Sequence, residues 1–398
     1  MKAGWQIKQF SEIAKIRGGK RVPKGYKLQT SPTDHPYITV SDFDDRGTID
    51  TSKLRYISDE IFTQISAYTI SSKDLYLSIA GTIGKTGFVP PELDGANLTE
   101  NACRLILHPC ISKEFIYYFT QSYDFACQAR VNTRVAAQPK LALERLKTIT
   151  LAVPAFSEQQ RIVSILDKAF DGIATAKTNA EKNLQNARAL FDSHLQAIFT
   201  RRGSGWGEGK IADLAKHSLG KMLDKSKNKG VPKSYLRNVN VRWFSFDLSD
   251  LLEMRFLPEE AAKYTAIKGD VLICEGGYPG RAAIWNEDYP IYFQKALHRV
   301  RFHNPVHSKW FVYFLYSQDR RRELRQYFSG MGIQHFTGEV LSRFKIPLAP
   351  TPELRRLTTQ FDQLAVETQH LESIYQQKLT TLDALKKSLL HQAFTGAL

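Results

Sequence analysis

Residues 156–200 read FSEQQRIVSILDKAFDGIATAKTNAEKNLQNARALFDSHLQAIFT, and residues 351–395 read TPELRRLTTQFDQLAVETQHLESIYQQKLTTLDALKKSLLHQAFT. Glu158, Arg161, Asp167, Leu184, Leu190, Leu195 and Phe199-Thr200 return 195 residues later as Glu353, Arg356, Asp362, Leu379, Leu385, Leu390 and Phe394-Thr395. A single offset held over the whole stretch marks a duplication. Further out, Gly4-Trp5 returns as Gly205-Trp206, and Gly19-Lys20 as Gly220-Lys221. Asp74-Leu75-Tyr76-Leu77 answers Asp270-Val271-Leu272-Ile273, and the turn Gly81-Thr82-Ile83-Gly84-Lys85 answers Gly277-Tyr278-Pro279-Gly280-Arg281. So long a period excludes a solenoid and implies a duplicated domain: globule, long helix, globule, long helix.

The two long stretches have the spacing of a coiled-coil seam, with apolar residues alternating mostly between four and three apart. On the first the seam includes Ile162, Leu166, Ile173, Ala176, Ala180 and Leu184; on the second it includes Phe361, Leu364, Leu371, Tyr375, Leu379 and Leu382. Pro154 ends the preceding segment, with Ser157 as N-cap and Gln160 completing a capping box. In the second copy Thr351 is the expected cap and Pro352 the first helical residue. At about 1.5 Å per residue, each helix spans roughly 60–65 Å. A lone amphipathic helix of that length must cover its stripe, either by antiparallel pairing of the two copies, the expected arrangement for a chain with a globule between them, or by folding back on its own globule. Facing their centres sets Ala176 against Tyr375 and Ala180 against Leu371, small against large.

The globules read as mixed α and β. Tyr37–Val40, Leu75–Ile79 and Val271–Cys274 are short β-rich runs, while residues 113–127 and 308–327 look helical. The glycine turns are read as tight hairpins rather than phosphate cradles, because no GK[ST] sequence follows them.

The 398 residues suit two or three domains, and 42% hydrophobic content suffices for buried cores. A formal net charge of +15 points to a polyanionic partner, since Lys and Arg gain affinity by releasing counterions from phosphates. Cys103, Cys110, Cys127 and Cys274 form no CxxC pair, and no histidine cluster has metal-ligand spacing, so no metal is expected. Reduced thiols, an N-terminus without a signal-peptide core and the lack of a long apolar run suit a cytoplasmic chain with no membrane association.

Basic residues gather in the expected loops. In the first globule these are Lys20, Arg21 and Lys24 with Tyr26, then Thr133, Arg134, Gln138 and Lys140. In the second they are Lys221, Lys225 and Lys227, where the only nearby acid is Asp224, then Arg237, Asn238 and Arg242. Arg bonds guanine and Asn or Gln bonds adenine in the major groove, while Lys mostly positions the protein on phosphate. The equivalent loops Asn132–Lys140 and Gly330–Phe336, with Gln138 opposite Gln334 and His335 beside it, are the expected base-contact segments. No Walker A sequence, no Asn-Pro-Pro-Tyr box and no catalytic constellation stands out, so no catalytic residues are assigned.

With the helix starts Ser157-Glu158-Gln159-Gln160-Arg161-Ile162 and Pro352-Glu353-Leu354-Arg355-Arg356-Leu357, and the endings Gln196–Thr200 and Gln392–Gly396, the whole chain resembles a type I restriction–modification specificity subunit. The second start departs from the usual Glu-Gln-Gln-Arg. The resemblance implies an α+β fold with pseudo-two-fold internal duplication. Target-recognition domains at residues 1–155 and 203–350 would be separated by a central spacer helix, 156–202, and a distal one, 351–398, packed as an antiparallel coiled coil. It implies a non-catalytic DNA-binding subunit that reads a bipartite, asymmetric site, one half per domain. The implied partners are double-stranded DNA, two adenine methyltransferase subunits and restriction–translocase subunits. S-adenosylmethionine, ATP and Mg would belong to those partners, with no cofactor in this chain. The readings set against this are a stand-alone nuclease or methyltransferase, and a coiled-coil scaffold.

Overall fold

A computed structural model describes residues 4–134, 139–224, 226 and 228–398. The chain forms two compact units, one comprising residues up to Ala180 together with Gln377–Leu398, the other Glu181–Gln376. Both contain mixed helix and strand, and each takes half of both long helices. The central helix runs from Phe156 to Arg201 and the distal helix from Thr351 to Thr395, each about 70 Å long at 1.5 Å per residue. Among the described residues no helix is long and apolar enough to cross a membrane.

In the first unit an antiparallel sheet has the order Ala14–Gly18, Ala102–Leu107, Leu75–Ser78, Thr86–Phe88. Strand Gln6–Gln9 pairs with Thr150–Val153, the strand that leads into the central helix. The second unit repeats this plan with Ala215–Leu219, Leu297–Phe302, Val271–Cys274 and Ala282–Ile284, and with Gly207–Lys210 paired to Lys345–Leu348. The recurring aspartates have a structural cause. Asp270 accepts two bonds of 2.7 Å from Arg301 on the neighbouring strand and one of 2.8 Å from the Ile267 amide. Asp74 does the same work with Arg104 at 3.6 Å and the Ser71 amide at 3.0 Å. A buried carboxylate needs such partners.

The ends of the long helices are part of the globule cores. In the first unit Leu390, Ala393 and Phe394 join Phe115, Phe119, Ile162 and Leu166, with Phe394 edge-on to Phe119 at 5.3 Å. In the second, Phe191, Leu195 and Phe199 join Trp310, Leu357 and Phe361, with Phe199 4.7 Å from Trp310. In each unit a tyrosine hydroxyl at a matching position ties the globule to a long helix, and in the second unit Tyr316 adds a bond to Asp192 at 2.9 Å. Tyr118 donates to Asp167 and Tyr313 to Asp362, over the same sequence separation of 49 residues. Burial, and then the adjacent carboxylate, pushes both phenols above their usual range.

The helix halves run antiparallel within each unit, but not in the expected register. In the first unit Lys177 meets Asp383 at 2.7 Å; in the second Arg188 meets Glu372 at 3.1 Å. A register that sets Ala176 against Tyr375 and Ala180 against Leu371 would bring Lys177 to Ile374 instead of Asp383. Centre-to-centre alignment fails because the docked helix ends set the register. Of the expected seam residues, Ile162, Leu166, Ile173, Ala180 and Phe361 are buried. Ala176, Leu184, Leu364, Tyr375, Leu379 and Leu382 are half-buried. Leu371 remains 37% exposed, and Thr368 is buried nearby. The helix starts also differ from expectation. The Ala155 carbonyl accepts from Glu158 and Gln159, so Ser157 lies inside the first turn. The anchor is Gln159, whose buried amide accepts from the Ser112 amide at 2.9 Å and donates to the Pro154 carbonyl at 3.0 Å. Likewise Leu354 donates to the Pro350 carbonyl, which puts Thr351 within the helix.

If the distal helix end belongs to the first core, Phe394→Ala removes a ring from that core and should lower stability by roughly 3 kcal/mol. Urea unfolding measures this; a loss below about 0.5 kcal/mol, the level of an ordinary surface substitution, would show that the docking is not structural.

Candidate nucleic-acid interface

Three segments meet at one corner of each globule, held by matching backbone bonds. The first is the glycine turn. In the first globule the Ser78 amide donates to the Lys85 carbonyl at 2.8 Å and Gly84 donates back to Ser78 at 3.0 Å. In the second, Cys274 donates to Arg281 at 2.8 Å and Gly280 to Cys274 at 2.9 Å. The second segment is the loop expected to touch bases. Leu141 donates to the Ile79 carbonyl at 2.9 Å, as Phe336 does to Glu275 at 2.7 Å. Lys140 bridges Ala80, and His335 bridges Gly276. The third is a single-turn 3-10 corner, Val40–Asp42 or Asn238–Asn240. Its last side chain accepts from a backbone amide, Asp42 from Thr39 at 2.7 Å and Asn240 from Arg237 at 2.9 Å.

In the first globule the hairpin Thr133–Arg134 with Lys140–Leu141 lies beside the Lys20–Arg21 segment. Glu100 joins them: Arg21 Nε donates to its carboxylate at 2.5 Å and Lys140 Nζ reaches its carbonyl at 3.5 Å. Burial pushes the Glu100 carboxyl up, but the Arg21 bond and others outweigh it and hold the group below its usual range. Lys20 lies 5.6 Å from the Tyr68 ring. Thr133 is turned inward, bonding the Ala129 carbonyl at 2.7 Å. Tyr26 lies elsewhere, bonded to Glu60 of helix Asp59–Ile65, and Lys24 is exposed. Gln138, Lys225 and Lys227 fall outside the described residues, as does the side chain of Arg134.

The second globule brings Asn238, Gln334 and His335 together. Asn238 Nδ2 donates to the Gly276 carbonyl at 3.0 Å, and Gln334 is exposed beside it. Lys221 does not belong to this surface. It is 7% exposed and donates to Glu260 at 2.5 Å and to the Arg255 carbonyl at 3.0 Å. A buried ammonium must be paired, and its acid lies 39 residues away in sequence, out of sight of a local reading. Arg237, with a side chain 20% exposed, is committed to Asp250 through its carboxylate at 2.7 Å and its carbonyl at 2.8 Å. Arg242 bonds Asp247 at 3.2 Å and the Val239 carbonyl, leaving about half its side chain accessible.

Sequence reasoning passed over Lys85, Tyr278 and Arg281, all in the glycine turns. Arg281 stacks on Tyr278 at 4.7 Å; Lys85 bonds Asp45 at 2.7 Å. The readable signal was a basic residue ending both turns. Arg320 is held by Asp192 at 2.7 Å, and Arg321 by Glu323, whereas Arg322 and Arg325 are exposed. Among the described residues no three His, Cys, Asp or Glu side chains come together as a metal site would require. The arrangement offers hydrogen-bonding and cationic groups on rigid loops, suited to recognition.

Comparison with known proteins matches the family described as type I restriction modification DNA specificity domain twice, over residues 2–185 and 203–391. The specificity subunit of the Escherichia coli type I restriction enzyme EcoBI is 26% identical over 169 residues, which is 42% of this chain and 34% of that protein. The chain thus spans about a third of that curated relative. The HsdS subunit from Thermoanaerobacter tengcongensis superposes with a TM-score of 0.68 at 19% identity, covering 100% of this chain and 98% of the other. A chain from a structure of the assembly and conformational transition of the type I R-M system superposes with a TM-score of 0.80 at 19% identity, covering 100% and 99%. These structures share the fold.

Behind the second loop, His298 Nε2 donates to the Phe336 carbonyl at 3.1 Å. Burial lowers its pKa to about 4, only partly opposed by that bond. Unfolded histidine titrates near 6.5, so between pH 6.5 and 4 the unfolded chain binds a proton that the folded chain refuses. Stability of the second unit should therefore be full above pH 6.5 and fall as pH drops, by up to about 3 kcal/mol at pH 4. His298→Gln should flatten most of this slope, leaving what His217 and His307 contribute, since burial lowers both of their pKa values too. An unchanged slope in urea midpoints across that range would contradict the assignment.

Proposed function

The chain belongs to the type I restriction–modification DNA-specificity family, and on that premise we propose that it is the DNA-reading subunit of a type I restriction–modification complex. Each globule reads one half of a bipartite, asymmetric site. The paired helices act as the spacer that sets the gap of unread base pairs. The chain directs adenine methyltransferase subunits, and restriction–translocase subunits where they exist, to that site. It holds no cofactor; S-adenosylmethionine, ATP and Mg act in the partners, and the complex works in the cytoplasm.

One observation carries this reading. The same three-part corner is built twice on duplicated backbone bonds, while the side chains it displays differ: Thr82, Ile83 and Lys85 in one copy, Tyr278, Pro279 and Arg281 in the other. A fixed frame with divergent contact groups is what two different half-sites require. The net charge of +15 supplies attraction to phosphate without regard to sequence. Discrimination then falls to side chains at base edges, where each wrong pair costs about 1–3 kcal/mol.

The spacer keeps the register that the docked helix ends impose, so the two readings should be separable. Replacing residues 1–155 with the corresponding domain of another specificity subunit should change one half of the methylated motif and leave the other half and the gap intact. A change in both halves would refute independent reading.

A further inference from the structure

We propose that Met331 and Ile333 form an apolar wedge that enters the base stack of the half-site read by the second globule and parts one base step. The inference rests on the DNA-reading role proposed above and assigns that role a specific means of discrimination.

The loop Gly330-Met331-Gly332-Ile333-Gln334 stands out from the candidate interface on a closed base. Ser329 and His335 exchange backbone bonds of 2.9 and 2.8 Å beneath it, and His335 bridges Gly276 on the glycine turn. Gly330 has φ +107°, and a Cβ there would lie 2.3 Å from the Ile333 carbonyl, so the loop's conformation demands glycine. Among the described residues Met331, at 109% relative exposure, is the most exposed large hydrophobic, and Ile333 is 71% exposed. Two apolar side chains held in water on a closed loop contribute nothing to the core of this chain.

What surrounds the tip indicates its occupant. The 3-10 turn Glu323–Tyr327 packs on the glycine turn, where Leu324 would be 2.3 Å from a Cβ on Gly280. Arg322, just before this turn, and Arg325, within it, are exposed and supply cationic groups for flanking phosphates. Gln334, exposed at the foot of the tip, offers an amide to a base edge. Apolar side chains with cationic neighbours match a nucleic acid, whose stack is apolar and whose backbone is anionic. Met and Ile are among the residues that partly unstack a base step when inserted. Such a wedge favours the flexible pyrimidine–purine steps, so it selects sequence through deformability as well as contact.

The test uses the full chain copurified with its methyltransferase partner. Duplexes of the methylated motif carry 2-aminopurine at each position of the second globule's half-site in turn, leaving out the methylated adenine. The methylated adenine of the other half-site, replaced in the same way, reports normal engagement. The wild-type complex should raise emission several-fold at one step. Met331→Ala/Ile333→Ala should lose that rise and bind about tenfold more weakly, with the control signal and thermal midpoint kept, and Met331→Leu should retain it. No rise at any scanned step in wild type while the control responds, or an equal rise in the double variant, overturns the wedge and leaves DNA reading intact. Loss of the copurified partner with an unchanged rise overturns it in favour of a protein contact. Absence of sequence-preferring binding in the wild type rejects the DNA-reading role and the wedge with it.

Discussion

Two helices of 46 and 45 residues carry apolar stripes, and the need to cover those stripes organises the chain. Neither stripe is covered by the helix partner alone. The end segments sink into globule cores, Phe394 against Phe115 and Phe119, and Phe199 against Trp310. Each compact unit is thereby assembled from distant parts of the sequence, the first from residues up to Ala180 and from Gln377–Leu398. Exposed ion pairs such as Arg188–Glu372 add little energy; they mark a register that the buried rings impose.

The same economy governs the candidate interface. Its frame is made of backbone bonds from Ser78 and Cys274, from Leu141 and Phe336, and of one capping side chain at each corner. Backbone bonds are indifferent to most side-chain changes, so residues displayed on the frame are free to diverge while their placement is kept. Acids at the surface temper the cations: Glu100 engages Arg21, and Asp45 engages Lys85. These exposed pairs are weak enough for phosphate to displace, whereas Lys221 with Glu260 is buried and belongs to the fold.

Much of the fold was legible because duplication writes each structural constraint twice. Asp74 and Asp270 recur since both cap a turn and hold an arginine on the next strand; Asp167 and Asp362 recur since both receive a buried tyrosine. The register was not legible, because it depends on where the helix ends dock, and periodicity is silent about docking. Ser157 looked like a cap because composition favoured it, yet Gln159 makes the anchoring bonds through partners as distant as Ser112. Among candidate site residues, Lys221 misled because its acid, Glu260, comes from another segment. Tyr278 and Arg281 were passed over because a glycine turn reads as a connector until the loop beside it is seen.

The central claim is that this chain chooses the DNA sequence on which its partners act. Long-read methylation profiling of cells with and without this gene, with the partner methyltransferase expressed in both, tests it most directly. The account predicts one two-part adenine-methylated motif that is present with the gene and absent without it. An unchanged set of methylated motifs, with partner expression verified, would contradict it.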